Sequence, residues 1–95
     1  MSDVISAAVD TLAGKMSGGV SGTVKFDIPG EGTIIADAAG VRAEDGDADV
    51  TLTADAETFQ AIMTGDMDPT AAFMTGKLTV DGDMGLAMQL ASVLA

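Results

Sequence analysis

Carboxylates are the main side chains in this sequence that could take part in acid–base or metal chemistry. The 95 residues include 15 Asp and Glu but no His and no Cys, so neither a Ser–His nor a Cys–His catalytic pair can form. Paired carboxylates can hydrolyse glycosides, but Asp55, Asp68 and Asp83 each stand just before a predicted helix. An Asp at that position binds free backbone N–H groups. We therefore expect helix caps at these positions, no catalytic residues and no enzymatic activity.

The acidic segment Asp45-Gly46-Asp47-Ala48-Asp49 has the carboxylate spacing that begins an EF-hand calcium loop. The rest of that loop is missing, because Val50 stands where the sharp turn needs Gly and Ala56 stands where a bidentate Glu is needed. The segment therefore predicts an acidic turn. We expect no metal site, and nothing in the sequence indicates a cofactor.

The charge balance excludes two classes of partner. The formal net charge is −11, and the only cations are Lys15, Lys25, Arg42 and Lys77. Nucleic-acid binding requires a basic surface, as does attraction to anionic membranes. The sequence shows neither a signal-peptide pattern nor an apolar run of transmembrane length. We therefore expect a cytoplasmic protein that binds no nucleic acid and does not insert stably into a membrane.

Hydrophobic periodicity predicts a single α+β domain over residues 1–95, with helices on one face of a mostly antiparallel sheet. Apolar and polar residues alternate in the predicted strands, whereas apolar residues recur every three or four positions in the predicted helices. The close spacing of the first four strands resembles an antiparallel meander. The predicted order is a helix over residues 2–13, the strands TVKFDI, TIIADA, VRAED and VTLTA, two short helices ending at Gly65 and Gly76, the strand KLTVDG, and a last helix from Met84 to about Leu94.

The last helix has almost no polar side. Gly85, Gln89 and Ser92 form one narrow stripe, and apolar residues cover the rest of the circumference. One part of that surface must pack on the sheet. The remainder must face another helix, a partner chain or an apolar ligand.

The segment from Phe59 to Leu90, FQAIMTGDMDPTAAFMTGKLTVDGDMGLAMQL, resembles the sterol carrier protein 2 (SCP2) domain family. Members of that family carry the pattern NPxxAFMxGKLKIxGDMGLAMKL, and the likeness is to small stand-alone members of bacterial type. The resemblance implies a five-stranded, mostly antiparallel sheet with helices on one face, which together enclose a hydrophobic tunnel. Such a tunnel holds fatty acids, fatty acyl-CoA or sterol-like lipids. Fewer cations are present here than in many members, so a fatty acid or another simple lipid is the expected ligand.

The resemblance implies non-enzymatic intracellular lipid binding or transfer. The alternative from the residues alone is an interaction module, or a homodimer, that uses the apolar C-terminal helix. Lys25 and Lys77 are expected in solvent, which leaves Lys15 as the candidate anchor for a lipid head group. The expected tunnel-lining residues are Phe59, Ile62, Met63, Phe73, Met74, Leu86, Met88, Leu90 and Leu94.

Overall fold

The helices and strands follow one another in the predicted order. The computed structural model describes residues 3–15 and 22–94, without the side chains of residues 91, 93 and 94. The elements are α1 (Asp3–Lys15), β1 (Val24–Ile28), β2 (Gly32–Asp37), β3 (Gly40–Arg42), β4 (Val50–Ala54), α2 (Ala56–Thr64), α3 (Pro69–Met74), β5 (Leu78–Gly82) and α4 (Met84–Leu94). No helix in these described ranges is both long enough and apolar enough to span a membrane.

The first helix is longer than its sequence pattern predicts. It was expected to end before Gly14, but α1 continues through Gly14 to Lys15. A glycine inside a helix costs only about 1 kcal/mol relative to alanine. Burial of Ile5, Ala8 and Leu12 along one side of α1 offsets this penalty.

The five strands form one sheet in the order β3-β2-β1-β4-β5. The β1–β4 pair is parallel, and the other three pairs are antiparallel. The mostly antiparallel α+β fold is confirmed, but the continuous meander is wrong. The chain from β3 to β4 does not form a hairpin, because β2 and β1 lie between these two strands.

The connection between β3 and β4 crosses the polar face of the sheet. Three strand spacings of about 4.8 Å separate β3 from β4. The connection comprises residues 43–49, which are long enough to span this distance when extended. Asp45 in this connection forms an ion pair with Lys25 of β1, with 3.0 Å between Oδ1 of Asp45 and Nζ of Lys25. Ile35 is buried on the same face, where it pairs with Lys25 and Arg42 in the neighbouring strands. The acidic turn is thus a strap across this side of the sheet.

The opposite face of the sheet carries the core. Buried and half-buried residues alternate along β1 and β4, and the helices cover the buried side. Helix α1 lies against β2 and β3, while α4 lies against β4 and β5. The core joins the inward residues of the strands to Ile5, Leu12, Ile62 and Leu90 from the helices.

Three aspartates fix the starts of the helices that follow β4, as the sequence predicts. The Oδ1 atoms of Asp55, Asp68 and Asp83 accept hydrogen bonds from backbone N–H groups in the first turns of α2, α3 and α4, at 2.7, 2.9 and 3.1 Å. The bond from the backbone N–H of Thr58 is the main cause that lowers the pKa of Asp55. These caps set where each helix leaves the sheet.

Candidate functional site

A cavity of about 330 Å³ lies between one half of the sheet and helices α2, α3 and α4. Its floor is a row of side chains from three adjacent strands. Phe26 of β1 is the register partner of Leu52 of β4, and Leu52 is the partner of Val80 of β5. Leu78, two residues before Val80, extends the same apolar face. Cavities that bind small ligands start at about this size.

The walls of the cavity come from the three helices. Phe59 and Ile62 lie one helical turn apart on α2 and so face the same side. The ring of Phe59 packs edge-to-face on that of Phe26, with centroids 5.6 Å apart and planes at 62°. This contact joins α2 to the floor. The remaining wall residues are Pro69, Thr70, Phe73 and Met74 of α3, and Met84, Ala87 and Met88 of α4.

The cavity has a buried end and an apolar rim. Phe26 at the floor is only 1% exposed. At the rim, Phe73, Met74, Met84 and Met88 are 44%, 80%, 49% and 73% exposed. These four are the exposed large hydrophobic residues of the described part of the chain, and all four line this cavity. Methionine is flexible and polarisable, so the rim can adapt to a ligand that enters.

The cavity lining carries almost no polar chemistry. Among the described residues that line it, Thr70 is the only one with a polar side chain, and none is charged. Within residues 3–15 and 22–94 there is also no group of three or more acidic side chains arranged to hold a metal ion. Burial of hydrocarbon is therefore the chemistry that this arrangement supports.

Two of the four cations are held in ion pairs on the polar face. Lys25 pairs with Asp45, and this contact lowers the pKa of Asp45. Arg42 donates to both carboxylate oxygens of Asp37, at 3.0 and 2.8 Å, and its Nε donates to Glu44 at 3.2 Å. The two hydrogen bonds from Arg42 are the largest cause that lowers the pKa of Asp37 to about 2. Neither cation is available to a ligand in the cavity.

Comparison with known proteins gives the family. The family model of the SCP-2 sterol transfer family matches residues 5–95. The chain belongs to the SCP-2 sterol transfer family. Hydroxysteroid dehydrogenase-like protein 2 of Danio rerio is 33% identical over 103 residues, which cover the whole chain and 25% of that protein. Sterol carrier protein 2 of Rattus norvegicus is 40% identical over 77 residues, which cover 80% of the chain and 13% of the rat protein. The chain thus spans a quarter or less of these relatives.

Solved structures show the same SCP-2 fold. Sterol carrier protein 2 like 2 of Aedes aegypti superposes with a TM-score of 0.82 at 23% identity, and covers 95% of each chain. The palmitate complex of sterol carrier protein 2 from the same organism gives a TM-score of 0.80 at 24% identity, over 100% of this chain and 97% of that one. The palmitated form of the like-2 protein gives 0.72 at 26% identity, over 99% and 95%.

Of the nine residues that were expected to line a tunnel, five line the cavity and three do not, and the side chain of one is not described. Met63, Leu86 and Leu90 are buried in the core and do not belong to the cavity lining. Met63 follows Ile62 directly, so it points about 100° away around α2. The side chain of Leu94 lies outside the described residues. The other five, which line the cavity, are Phe59, Ile62, Phe73, Met74 and Met88.

The sequence did not single out the floor of the cavity. Phe26, Leu52, Leu78 and Val80 were recognisable as inward residues from their alternation with polar neighbours. Alternation does not show which strands lie under α2, α3 and α4. The remaining lining residues that were not expected are Pro69, Thr70, Met84 and Ala87.

The two remaining cations lie outside the lining. Lys15, the expected head-group anchor, is the last residue of α1 and does not line the cavity. Lys77 is exposed just before Leu78. Its positive charge is the smallest of the three causes that lower the pKa of Asp55, after the hydrogen bonds from Thr58. None of the four Lys and Arg residues therefore belongs to the described lining of the cavity.

Proposed function

We propose that this chain is a non-enzymatic lipid carrier that holds the hydrocarbon chain of its ligand in the cavity beneath α2, α3 and α4. The observation that carries this proposal is the apolar lining of a space of about 330 Å³ that opens at an exposed apolar rim. Membership of the SCP-2 sterol transfer family supports it. So does the palmitated state of the Aedes aegypti like-2 protein.

The size of the cavity sets an expected chain length. If a methylene group occupies roughly the volume of a water molecule, about 30 Å³, the cavity holds about eleven carbons. Each buried methylene contributes about 0.8 kcal/mol, which corresponds to about a fourfold gain in affinity. Further carbons would lie against the rim, where Met74 and Met88 are 80% and 73% exposed, and would add less.

A chain-length series tests this function. We would titrate the purified protein with straight-chain alcohols and the matching fatty acids from C8 to C16, by displacement of a fluorescent fatty acid. Affinity should rise about fourfold per methylene up to about C12 and then flatten. Failure of every chain to bind, with either head group, would overturn the proposal. Transfer between vesicles, measured with the same fluorescent lipid, would separate a carrier from a store.

The alternative function, an interaction module that uses α4, is not favoured. Part of the apolar surface of α4 that motivated it is already covered, because Leu86, Ala87 and Leu90 are buried within the domain. The exposed pair Met84 and Met88 belongs to the rim of the cavity. Light scattering over a range of concentrations would detect a homodimer through this rim.

A further inference from the structure

The helix starts beside the cavity already carry carboxylates of their own. A free helix N-terminus binds carboxylates and phosphates through its unpaired N–H groups. Here α3 and α4 begin directly beside the cavity, and at each start an aspartate side chain occupies one of these N–H groups. Asp68 accepts the N–H of Thr70, and Asp83 accepts the N–H of Leu86. Each cap also places a negative charge one residue before a lining residue, Pro69 or Met84.

The cations of the chain do not compensate for these carboxylates. Lys25 and Arg42 are engaged on the other face of the sheet, and neither Lys15 nor Lys77 belongs to the described lining. The formal net charge of −11 adds repulsion that acts over about 10 Å at 0.1 M salt. A carboxylate drawn toward the apolar lining would lose hydration without gaining a cation.

We propose that this site selects lipids with an uncharged polar head group over lipids with an anionic one. The proposal rests on the lipid-binding function proposed above. The ligand class is that of long-chain alcohols and monoacylglycerols, whose hydroxyl groups both donate and accept hydrogen bonds. Thr70, the one polar side chain in the described lining, can bond to such a head group without a charge being buried.

The first experiment compares one hydrocarbon chain with two head groups. Calorimetric Kd values for 1-dodecanol and dodecanoate would be measured at neutral pH, at low salt and at 0.3 M salt. We expect the alcohol to bind several-fold more tightly at low salt. Salt should narrow this difference, because it screens the repulsion of dodecanoate and leaves the neutral ligand unaffected. Dodecanoate binding as tight as that of the alcohol at low salt would overturn the selectivity and leave lipid binding intact. Binding of neither would overturn both proposals.

A matched pair of variants separates charge at the mouth from the general preference of carboxylates for water. Met88 is 73% exposed at the rim, so Met88→Lys and Met88→Gln both lose the same apolar contact and differ chiefly in charge. Relative to Met88→Gln, Met88→Lys should shift the ratio of the two Kd values about two- to fivefold toward dodecanoate, the range of exposed ion pairs. If the ratio of the two Kd values is the same in Met88→Lys and Met88→Gln, the electrostatic explanation is overturned.

A loss-of-charge variant tests the opposite assignment. If Lys15 anchors a carboxylate, Lys15→Ala will weaken dodecanoate binding and leave 1-dodecanol binding unchanged. The proposal requires that Lys15→Ala change the ratio of the two Kd values by less than twofold, because the variant alters only the overall charge. A selective loss of dodecanoate binding of two- to fivefold, the range of an exposed ion pair, would therefore overturn it.

Discussion

Enlarging one small wall residue should make the ligand-free protein more stable and the complex weaker. Ala87 is 8% exposed and faces the cavity from α4. Ala87→Leu adds three carbons on the side of α4 that lines the cavity. At about 0.8 kcal/mol for each buried carbon, burial stabilises the folded state by roughly 2.4 kcal/mol. Ordering the leucine side chain costs about 0.5–1 kcal/mol of conformational entropy. We expect the free energy of unfolding to rise by about 1.5 kcal/mol and Tm by about 6–12 °C.

The same three carbons take space from the ligand. A dodecyl chain displaced by three methylenes loses roughly 2.4 kcal/mol of burial, which weakens binding about 50-fold. Thermal unfolding of the ligand-free protein and fluorescent displacement would measure the two effects on one preparation. Ala7→Leu is the control, because Ala7 is exposed on α1, away from the cavity lining. It should leave stability within about 0.5 kcal/mol and affinity unchanged.

Two results would refute the reasoning behind Ala87→Leu. A fall in the stability of the ligand-free protein would mean that the leucine meets packed atoms, so that the space beside α4 is not open to it. Unchanged affinity in a stabilised variant would place the ligand elsewhere. Only opposite changes in stability and affinity support a cavity that the ligand occupies.

Three further predictions concern the framework around the cavity. Gly82→Ala should lower the urea midpoint by the equivalent of about 2 kcal/mol or more, because Gly82 has φ +116° and its Cβ would meet the carbonyl oxygen of Asp49; an unchanged midpoint would contradict this. Asp37→Asn should destabilise the protein at pH 6, and the difference from wild type should vanish between about pH 4 and pH 2. Arg42 lowers the folded pKa of Asp37 from 3.8 to about 2, so its stabilising effect is present above that range and lost as pH falls through it; a difference independent of pH would refute the assignment. Asp55→Ala should cost about 1 kcal/mol in denaturant unfolding through loss of the α2 cap, whereas Asp55→Asn should cost much less; equal losses would show that the cap is not the cause.

Local patterns in the sequence determined the elements of this protein. Alternation along β1 and β4 predicted strands with one buried face, and Asp55, Asp68 and Asp83 marked the helix starts where the structure has caps. These signals act within a few residues along the chain, so one strand or one helical turn contains them fully. Composition alone likewise excluded a histidine- or cysteine-based site.

The tertiary structure decided which of the inward residues form the cavity. Phe26, Leu52 and Val80 lie far apart in sequence and meet only because β4 pairs with both β1 and β5. In α4, Leu90 is fully buried, whereas Met88 is 73% exposed, although both are apolar residues of one helix. The sequence pattern shows which faces are apolar but not which neighbour covers them. That choice depends on strand order and helix placement, which long-range packing sets over the whole chain.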